Sequence, residues 1–385
     1  GWRAAGICDF DVLDGLDEVL GDGDLLDLRT TVNLETRVFF PHYAEHEINS
    51  PGEPGVYYFM GAGFTAAPPA DTPAGRQLQA MREGAARRTR DLAARVNDYL
   101  DHCRLDFDAD VVARTPAGNA TERHVCEAFA EKSKAVFADA ARELAFWTDK
   151  LGLAADELQP VLQDPVAFAN LIRSKLMKRG GPGYVQPNED TFPPLDDVLE
   201  MILACRAVPT ATWLDGTSSG EANIEQLLEY QIDKGVAALN IVPDRNWNID
   251  DPDEAATKIA NLHACVAAAE RLQLPVNVGT ELNKYGLPWV DDFDAAPMRE
   301  VAATFLRGAM IMTGHTRLLR FADLSYIDDA TANEFPDLGA RNDFFAAVGA
   351  LPAPPPDVLK TLQAGEPEAN YGRLRTAAAN KSWTT

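Results

Sequence analysis

The sequence predicts an α/β fold interrupted by a helical insertion, and three observations predict it. Short apolar, β-branched runs alternate with helical-period segments near both ends of the chain. A long stretch between them is helical throughout. Each strand-like run stops at a cluster of acids, amides, cations or tryptophans, as strands of α/β folds do where they face a site.

The elements follow in order. Residues 4–8 form a short apolar run that ends in Asp9-Phe10-Asp11. Leu13, Leu16, Val19 and Leu20 then recur at helical spacing, and 30–40 is rich in β-branched and aromatic residues. Residues 40–54 read as a loop from their Pro, Asn, Ser and Gly, and 56–60 as a strand. From 73 to 177 the period is helical. Leu78, Met81, Ala85, Leu92 and Val96 mark one amphipathic helix, 122–151 contains another, and 164–178 is a third with Pro165 in its first turn. Gly180-Gly181-Pro182-Gly183 stops it; that run lacks the order of a phosphate loop and follows a helix rather than preceding one. Helix 195–206 then leads to strand 209–213, helix 224–234 to strand 237–242, and helix 252–272 to strand 275–278. Three such units call for parallel strands buried on both faces. Helices at 297–312 and 342–349 follow. Pro352, Pro354, Pro355 and Pro356 open a tail expected to be irregular. This divides the chain into an α/β part at 1–62 and 184–349, an insertion at 63–183 and a tail at 350–385.

Composition narrows the function. Hydrophobic residues make up 46% and charged residues 24%, which supplies a core and argues against disorder. Lys plus Arg number 35 and Asp plus Glu 59, a net charge of −24 that repels nucleic acid and anionic lipid. The strongest apolar run, 301–312, is broken by Arg and Gly, so no membrane span is expected. Five widely spaced cysteines without a C-x-x-C pair argue against a disulfide framework and a structural zinc, and point to a reducing cytoplasm. Gly1-Trp2-Arg3-Ala4 runs straight into a strand with neither secretory leader nor initiator Met, so further residues are expected upstream. The expected partner is a small-molecule substrate, with a homo-oligomer left open.

Working groups in α/β sheets and barrels lie beyond the carboxyl ends of the strands. The first strand delivers Asp9 and Asp11, and alternation is expected to put both on one side. The second carries Glu35 and Arg37. The later ones end in Trp213-Leu214-Asp215, in Asp244-Arg245-Asn246-Trp247 and in Thr280-Glu281-Leu282-Asn283-Lys284. A carboxyl such as Glu35 in a strand of Val, Leu and Thr needs a cation, or its pKa rises; a salt bridge to Arg37 would be the structural alternative. Arg37, Arg245 and Lys284 are cations able to clamp a carboxylate or phosphate. Trp213 and Trp247 would wall the mouth. His42 and His46 lie in the loop after the Glu35 strand, within reach of the rim as acid, base or ligand. Asp11 could instead cap the following helix.

Ala4-Ala5-Gly6-Ile7-Cys8-Asp9-Phe10-Asp11, followed by Leu13-Asp14-Gly15, resembles the second motif of the PHP (polymerase and histidinol phosphatase) superfamily, where a strand enters Thr-Asp-His-Asp. Glu35 resembles the metal-bridging glutamate of the next motif, and Gly279-Thr280-Glu281-Leu282-Asn283 resembles the late Gly-Ser-Asp-x-His. The departures are substantial: Phe10 and Asn283 stand where histidines are expected, Glu281 replaces an aspartate, and Trp213 stands where a strand-end histidine is expected. The resemblance implies a distorted TIM-like (βα)7/8 barrel and metal-assisted hydrolysis of a small phosphorylated or sugar-like compound. Asp9, Asp11, Glu35, Glu281 and Asn283 would hold a divalent ion, Mg²⁺ or Mn²⁺ rather than Zn²⁺ because the donors are oxygens. Arg37, Arg245 or Lys284 would stabilise the anionic transition state, and Asp215 or a loop histidine would transfer protons. The alternatives are a metal-free barrel that binds a small ligand, or a sugar isomerase or lyase on the same scaffold.

Overall fold

The computed structural model describes residues 3–115, 117–282 and 286–383. The chain starts with β1 (Ala5–Phe10), α1 (Leu16–Leu25), β2 (Thr30–Phe39) and β3 (Val56–Ala62). The helices α2 (Pro73–Leu100), α3 (Glu122–Val136), α4 (Ala140–Leu151), α5 (Ala155–Gln163) and α6 (Pro165–Ile172) come next. Three αβ pairs then follow: α7 (Leu195–Ala204) with β4 (Val208–Trp213), α8 (Ile224–Asp233) with β5 (Ala238–Ile241), and α10 (Pro252–Arg271) with β6 (Val276–Val278). A short α9 (Asp244–Trp247) sits between the last two. The chain closes with α11 (Ala296–Arg299), α12 (Ala302–Ala322), α13 (Asp329–Glu334), α14 (Leu338–Ala350), α15 (Pro356–Ala364) and α16 (Pro367–Asn380).

Two compact units divide the chain. One comprises residues 1–78 and 188–385, the other 79–187, so the first boundary falls within α2. The helical unit has its own core, with Val96, Leu100, Phe129, Trp147 and Phe168 fully buried. Trp147 donates its indole N–H to Ser133 at 2.7 Å, which satisfies the one polar atom that ring brings inside. The expected single helix over 122–151 is two helices. Asp139 accepts from the Ala141 N–H and restarts the helical ladder as an N-cap.

The other unit is built on a six-stranded sheet in the order β1-β2-β3-β4-β5-β6. β1 runs parallel to β2, and β4, β5 and β6 are mutually parallel, but β3 is antiparallel to both β2 and β4. The expected closed (βα)7/8 barrel is therefore not formed: among the described residues the sheet is mixed and open, with β1 and β6 at its edges. The reason is the connection: 40–55 returns the chain beside β2 without a crossover helix, and only a crossover can deliver a parallel neighbour.

Pairing registers assign side chains to faces, because successive residues alternate. Val32, Leu34, Thr36 and Val38 of β2, with Tyr57 and Phe59 of β3 and Ala211 and Trp213 of β4, lie on one face and are buried. Helices cover this side; a Cβ on Gly61 would come 3.0 Å from Ile202 of α7, and Tyr57 donates to Gln231 of α8. The other face carries a polar row: Asn33, Glu35 and Arg37, then Tyr58, then Thr210 and Thr212, then Asn240 and Asn277. At one end of that face Ala62, Val208 and Ala238 are packed by Ile311, Met312 and Phe345 from α12 and α14.

The proline-rich tail is helical, which corrects the expectation of irregular chain. Pro356 and Pro367 each occupy the first turn of a helix, where a missing N–H leaves no bond unmade. Leu362 and Leu374 anchor those helices in the same core as α12 and α14. The crossing of α12 and α14 requires glycine on both sides. A Cβ at Gly314 would lie 1.9 Å from the Phe345 carbonyl oxygen, and one at Gly349 would lie 1.8 Å from that of Met310. Gly314→Ala is expected to lower the stability measured by urea unfolding by about 1–3 kcal/mol. Gly21→Ala, in α1 with nothing within 4 Å, is expected to leave it unchanged or raise it by up to about 1 kcal/mol.

Candidate functional site

β2 places Glu35 on the polar face opposite Phe10 of β1 and Met60 of β3. Burial pushes its carboxyl up to about 7; the negative charges of Glu281 and Asp11 push the same way, and Arg245 and Arg37 pull against them. Three distant stretches of chain (the ends of β1 and β2, α9 and the turn after β6) thus meet at one carboxyl. Arg245 presents its guanidinium edge to Glu281, with Nε–Oε2 at 2.9 Å and Nη2–Oε1 at 2.6 Å, a bidentate pair. Arg37 reaches Glu53 at 3.3 Å and lies 4.3 Å above the Phe192 ring, so the Glu35–Arg37 bridge is replaced by one to Glu53. Tyr58 stands on the same face, edge-on to Phe10 at 5.9 Å.

Asp9 and Asp11 lie away from the face of Glu35. Asp9 pairs in register with Leu34, on the helix-covered face, and its carboxyl oxygen lies 3.8 Å from where a Gly15 Cβ would be. Burial and the neighbouring Asp14 raise its pKa. β1 continues to Phe10, and Asp11 then leaves it with a φ of 60°. The Asp11 carboxylate accepts a 2.5 Å hydrogen bond from the Thr36 hydroxyl and is buried. Thr36 belongs to the helix-covered face, so this bond sets the Asp11 carboxylate on the side that Asp9 faces, as alternation along the strand implied, rather than on the face of Glu35.

The turn after β4 is built from within. Glu221, 2% exposed, accepts from the backbone N–H groups of Leu214, Asp215 and Gly216 at 2.7, 3.1 and 2.9 Å. Burial pushes its carboxyl up to about 7 although those three donors pull it down. Asn246 donates to the carbonyls of Leu214 and Val242 and joins the turns after β4 and β5. Asp215 is buried, which alone would raise its pKa. Thr217 and the Lys258 ammonium 3.0 Å away outweigh burial and hold it below the ordinary carboxylate range. A carboxylate stabilised as its anion in this way is a weaker base than an ordinary one, which weighs against the expected proton-transfer role of Asp215.

Trp213 is 3% exposed on the helix-covered face, so it is core rather than the wall of a mouth. Trp247 is half-buried in α9, beside Arg245. The indole N–H groups of both tryptophans meet no acceptor among the described residues. His42 stacks on Tyr230 with ring centroids 4.1 Å apart, and His46 meets Tyr43 edge-on; no histidine is among the charged neighbours of Glu35. Asn283 and Lys284 lie outside the described residues. Among the described residues, no three His, Cys, Asp or Glu side chains are grouped as a metal ion requires.

Asn240 and Asn277 escaped the sequence reading. They lie on the same face as Glu35, and a Cβ at Gly279 would sit 2.9 Å from the Asn240 amide, so the turn after β6 passes directly over it. The signal was the one that marked Glu35, a lone polar residue inside an apolar strand, in Ala-Leu-Asn-Ile and Val-Asn-Val. Glu221, in a loop without periodicity, gave no comparable signal.

No protein-family model matches the chain, and no curated protein matches it. Solved structures similar to it include two that can be named. One is an amidohydrolase from Chromobacterium violaceum with bound sulfate and no metal: 17% identity, covering 78% of this chain and 86% of that one, TM-score 0.47. The other is a "putative metal-dependent phosphoesterase" from Bifidobacterium adolescentis: 15% identity, covering 79% and 87%, TM-score 0.45.

The two raised carboxyls set a pH dependence. Glu35 and Glu221 go from an ordinary 4.5 to about 7 on folding, so between those values the folded protein keeps protons that the unfolded chain has lost. Stability is therefore expected to fall as pH rises from about 4.5 to 7 and to level off above. Glu35→Gln should flatten that decline in urea unfolding at a series of pH values. Glu221→Gln, which sets an NH₂ against backbone N–H donors, should cost about 1–3 kcal/mol at all of them.

Proposed function

We propose that the polar sheet face is the active site of a hydrolase acting on a small phosphorylated or sugar-like compound, with Glu35 as its general base. One observation carries the reading: an enclosed carboxyl brought to about 7 by burial, Glu281 and Asp11, beside two arginines. A base poised near neutrality is half ionised where it works and takes a proton from water efficiently. Arg245 and Arg37 are the groups for an anionic substituent, with Tyr58, Asn240 and Asn277 offering hydrogen bonds to hydroxyls along the same face. The order of the motifs that resemble the PHP superfamily supports hydrolysis as the reaction.

That resemblance also implies a divalent ion, and the donor set tests it. Asp9 faces the opposite side of the sheet and Glu281 is already neutralised by the Arg245 fork. The Asp11 carboxylate is taken up by Thr36 on that same opposite side, so Glu35 remains, fewer than the six or so oxygens that Mg²⁺ or Mn²⁺ gathers even with waters in the count. The described residues do not fit a resident ion, and no step is drawn through one. In this reading Glu35 accepts the proton of an attacking water, the arginine side chains hold the anionic group, and Glu221 keeps the turn after β4 in place.

A panel of aryl phosphates, sugar phosphates and unphosphorylated sugars, assayed with and without chelator, tests the proposal. Activity on the phosphorylated members is expected to survive the chelator, with kcat/KM rising through an apparent pKa of about 7. Glu35→Gln should lower it at least 100-fold and remove that rise. An activity that chelator abolishes, or that Glu35→Gln leaves intact, overturns the reading. Turnover confined to sugar isomerisation would move the chemistry to the isomerase alternative.

A further inference from the structure

The face just described lies at the carboxyl end of β2; a second charged cluster lies where that strand begins. Arg29 directly precedes β2, and Arg317 and Arg320 project from the last turns of α12. Together with Thr30, Thr313 and Thr316 they line a small cleft that opens to solvent. Thr30 and Glu35 are five residues apart on one strand, roughly 17 Å, so the two places are separate.

The charges in this cleft do not balance. Asp24 is the acid that lines it, and it is engaged by Arg320 through Nη1–Oδ1 at 3.1 Å and Nη2–Oδ2 at 2.7 Å. Arg317 is 8% exposed and, among the described residues, its hydrogen bonds go to neutral carbonyls alone: Nη1 to Val348, Gly349 and Leu351, Nη2 to Pro352. Arg29 donates to the carbonyls of Gly349, Ala350, Leu351 and Arg3. These bonds, with the carbonyl end of α14, offset part of the cost of burial, but they leave the formal charge in place. Burial, then Arg29 and Arg320, lower the pKa of Arg317 to about 9, with Asp24 alone opposing, and Arg3 adds a further like charge beside Arg29. In a chain with twenty-four excess negative charges, three arginines share one carboxylate around a cleft.

We propose that this cleft is a binding site for a tetrahedral oxyanion, free phosphate or the phosphate of a small monoester, held by Arg317, Arg320 and Arg29. The Nε–H groups of Arg317 and Arg320, which meet no acceptor among the described residues, are donors for it, and its charge is the counter-ion that the carbonyls do not supply. Bound there, the anion ties the start of β2 and α12 to the segment through Ala353 and Pro354, which also lines the cleft.

Thermal unfolding of the full chain, titrated with inorganic phosphate or glycerol phosphate against sodium chloride at constant ionic strength, tests the site. A saturable rise in melting temperature with phosphate is expected. Arg320→Gln should weaken it at least tenfold, Asp24→Asn should strengthen it several-fold by releasing the Arg320 fork, and Arg271→Gln, in an exposed pair with Glu225 away from both places, should leave it unchanged. A larger effect of glycerol phosphate than of phosphate identifies a monoester as the occupant. No phosphate-specific rise, or one that Arg320→Gln and Asp24→Asn both leave alone, overturns the proposal. A rise lost in Arg245→Gln and kept in Arg320→Gln assigns the anion to the polar face instead. These readouts need no turnover, so they stand apart from the hydrolase reading. If Arg320→Gln does not fold, Asp24→Asn, which adds no bulk and keeps all three arginines, still decides.

Discussion

A carboxyl enclosed among other carboxyls has to be neutralised, and at Glu35 the sheet makes that requirement unavoidable. Alternation along β2 sends Val32, Leu34, Thr36 and Val38 into the helix-covered core, and by the same rule it sends Asn33, Glu35 and Arg37 to the other face. A one-residue slip of register would expose the four core positions, so Glu35 is where it is because the core is where it is. The two arginines nearby are each engaged by another acid, Arg245 by Glu281 and Arg37 by Glu53. What they give Glu35 is partial, and a proton held until about neutral pH supplies the rest.

The support around this point is made of polar groups that cannot easily be rearranged. Asn49 joins β3 to β4, donating to the Thr212 hydroxyl at 2.7 Å and accepting from the Tyr58 N–H at 2.8 Å. Glu221 gathers three N–H groups after β4, and Asn261 donates to the Asp215 carbonyl from α10. Moving the turn would strand several of these bonded groups at once. Such a frame keeps the rim loops fixed relative to the strands, which is what a base acting over one hydrogen-bond length needs.

Much of this was legible from residue order, and the failures share a cause. Strand ends and the polar residue inside an apolar strand are local signals; they located Glu35, Arg37, Arg245 and Glu281, which the fold brings to one place. The direction of β3 is not local. A run such as Val56–Ala62 looks the same whether it pairs parallel or antiparallel, and only the absence of a helix between β2 and β3 distinguishes them. Asp9 and Asp11 were placed with Glu35 because a strand-end position does not say which face of the sheet a side chain takes; the register sets Asp9 beside Leu34 and Asp11 bonds Thr36, on the helix-covered side. The tail was misread because prolines that stop a helix from the inside also start one from the first turn. Glu221 was silent because its partners are backbone amides, which every sequence has.

The two charged clusters of this unit obey one rule with opposite signs. Around Glu35 negative charge exceeds positive, and the excess is removed by raising a carboxyl until it keeps its proton. Around Arg317 positive charge exceeds negative, but a guanidinium gives up its proton only far above neutrality, and even one lowered to about 9 stays charged in the cell's range. Proton uptake is therefore available as a remedy at the first cluster, and proton loss is not at the second. The remaining ways to settle a buried guanidinium are dipoles, which the α14 carbonyls provide, and an anion from outside. That asymmetry between carboxyl and guanidinium is why the same excess of like charge reads as a base at one end of β2 and as an oxyanion site at the other.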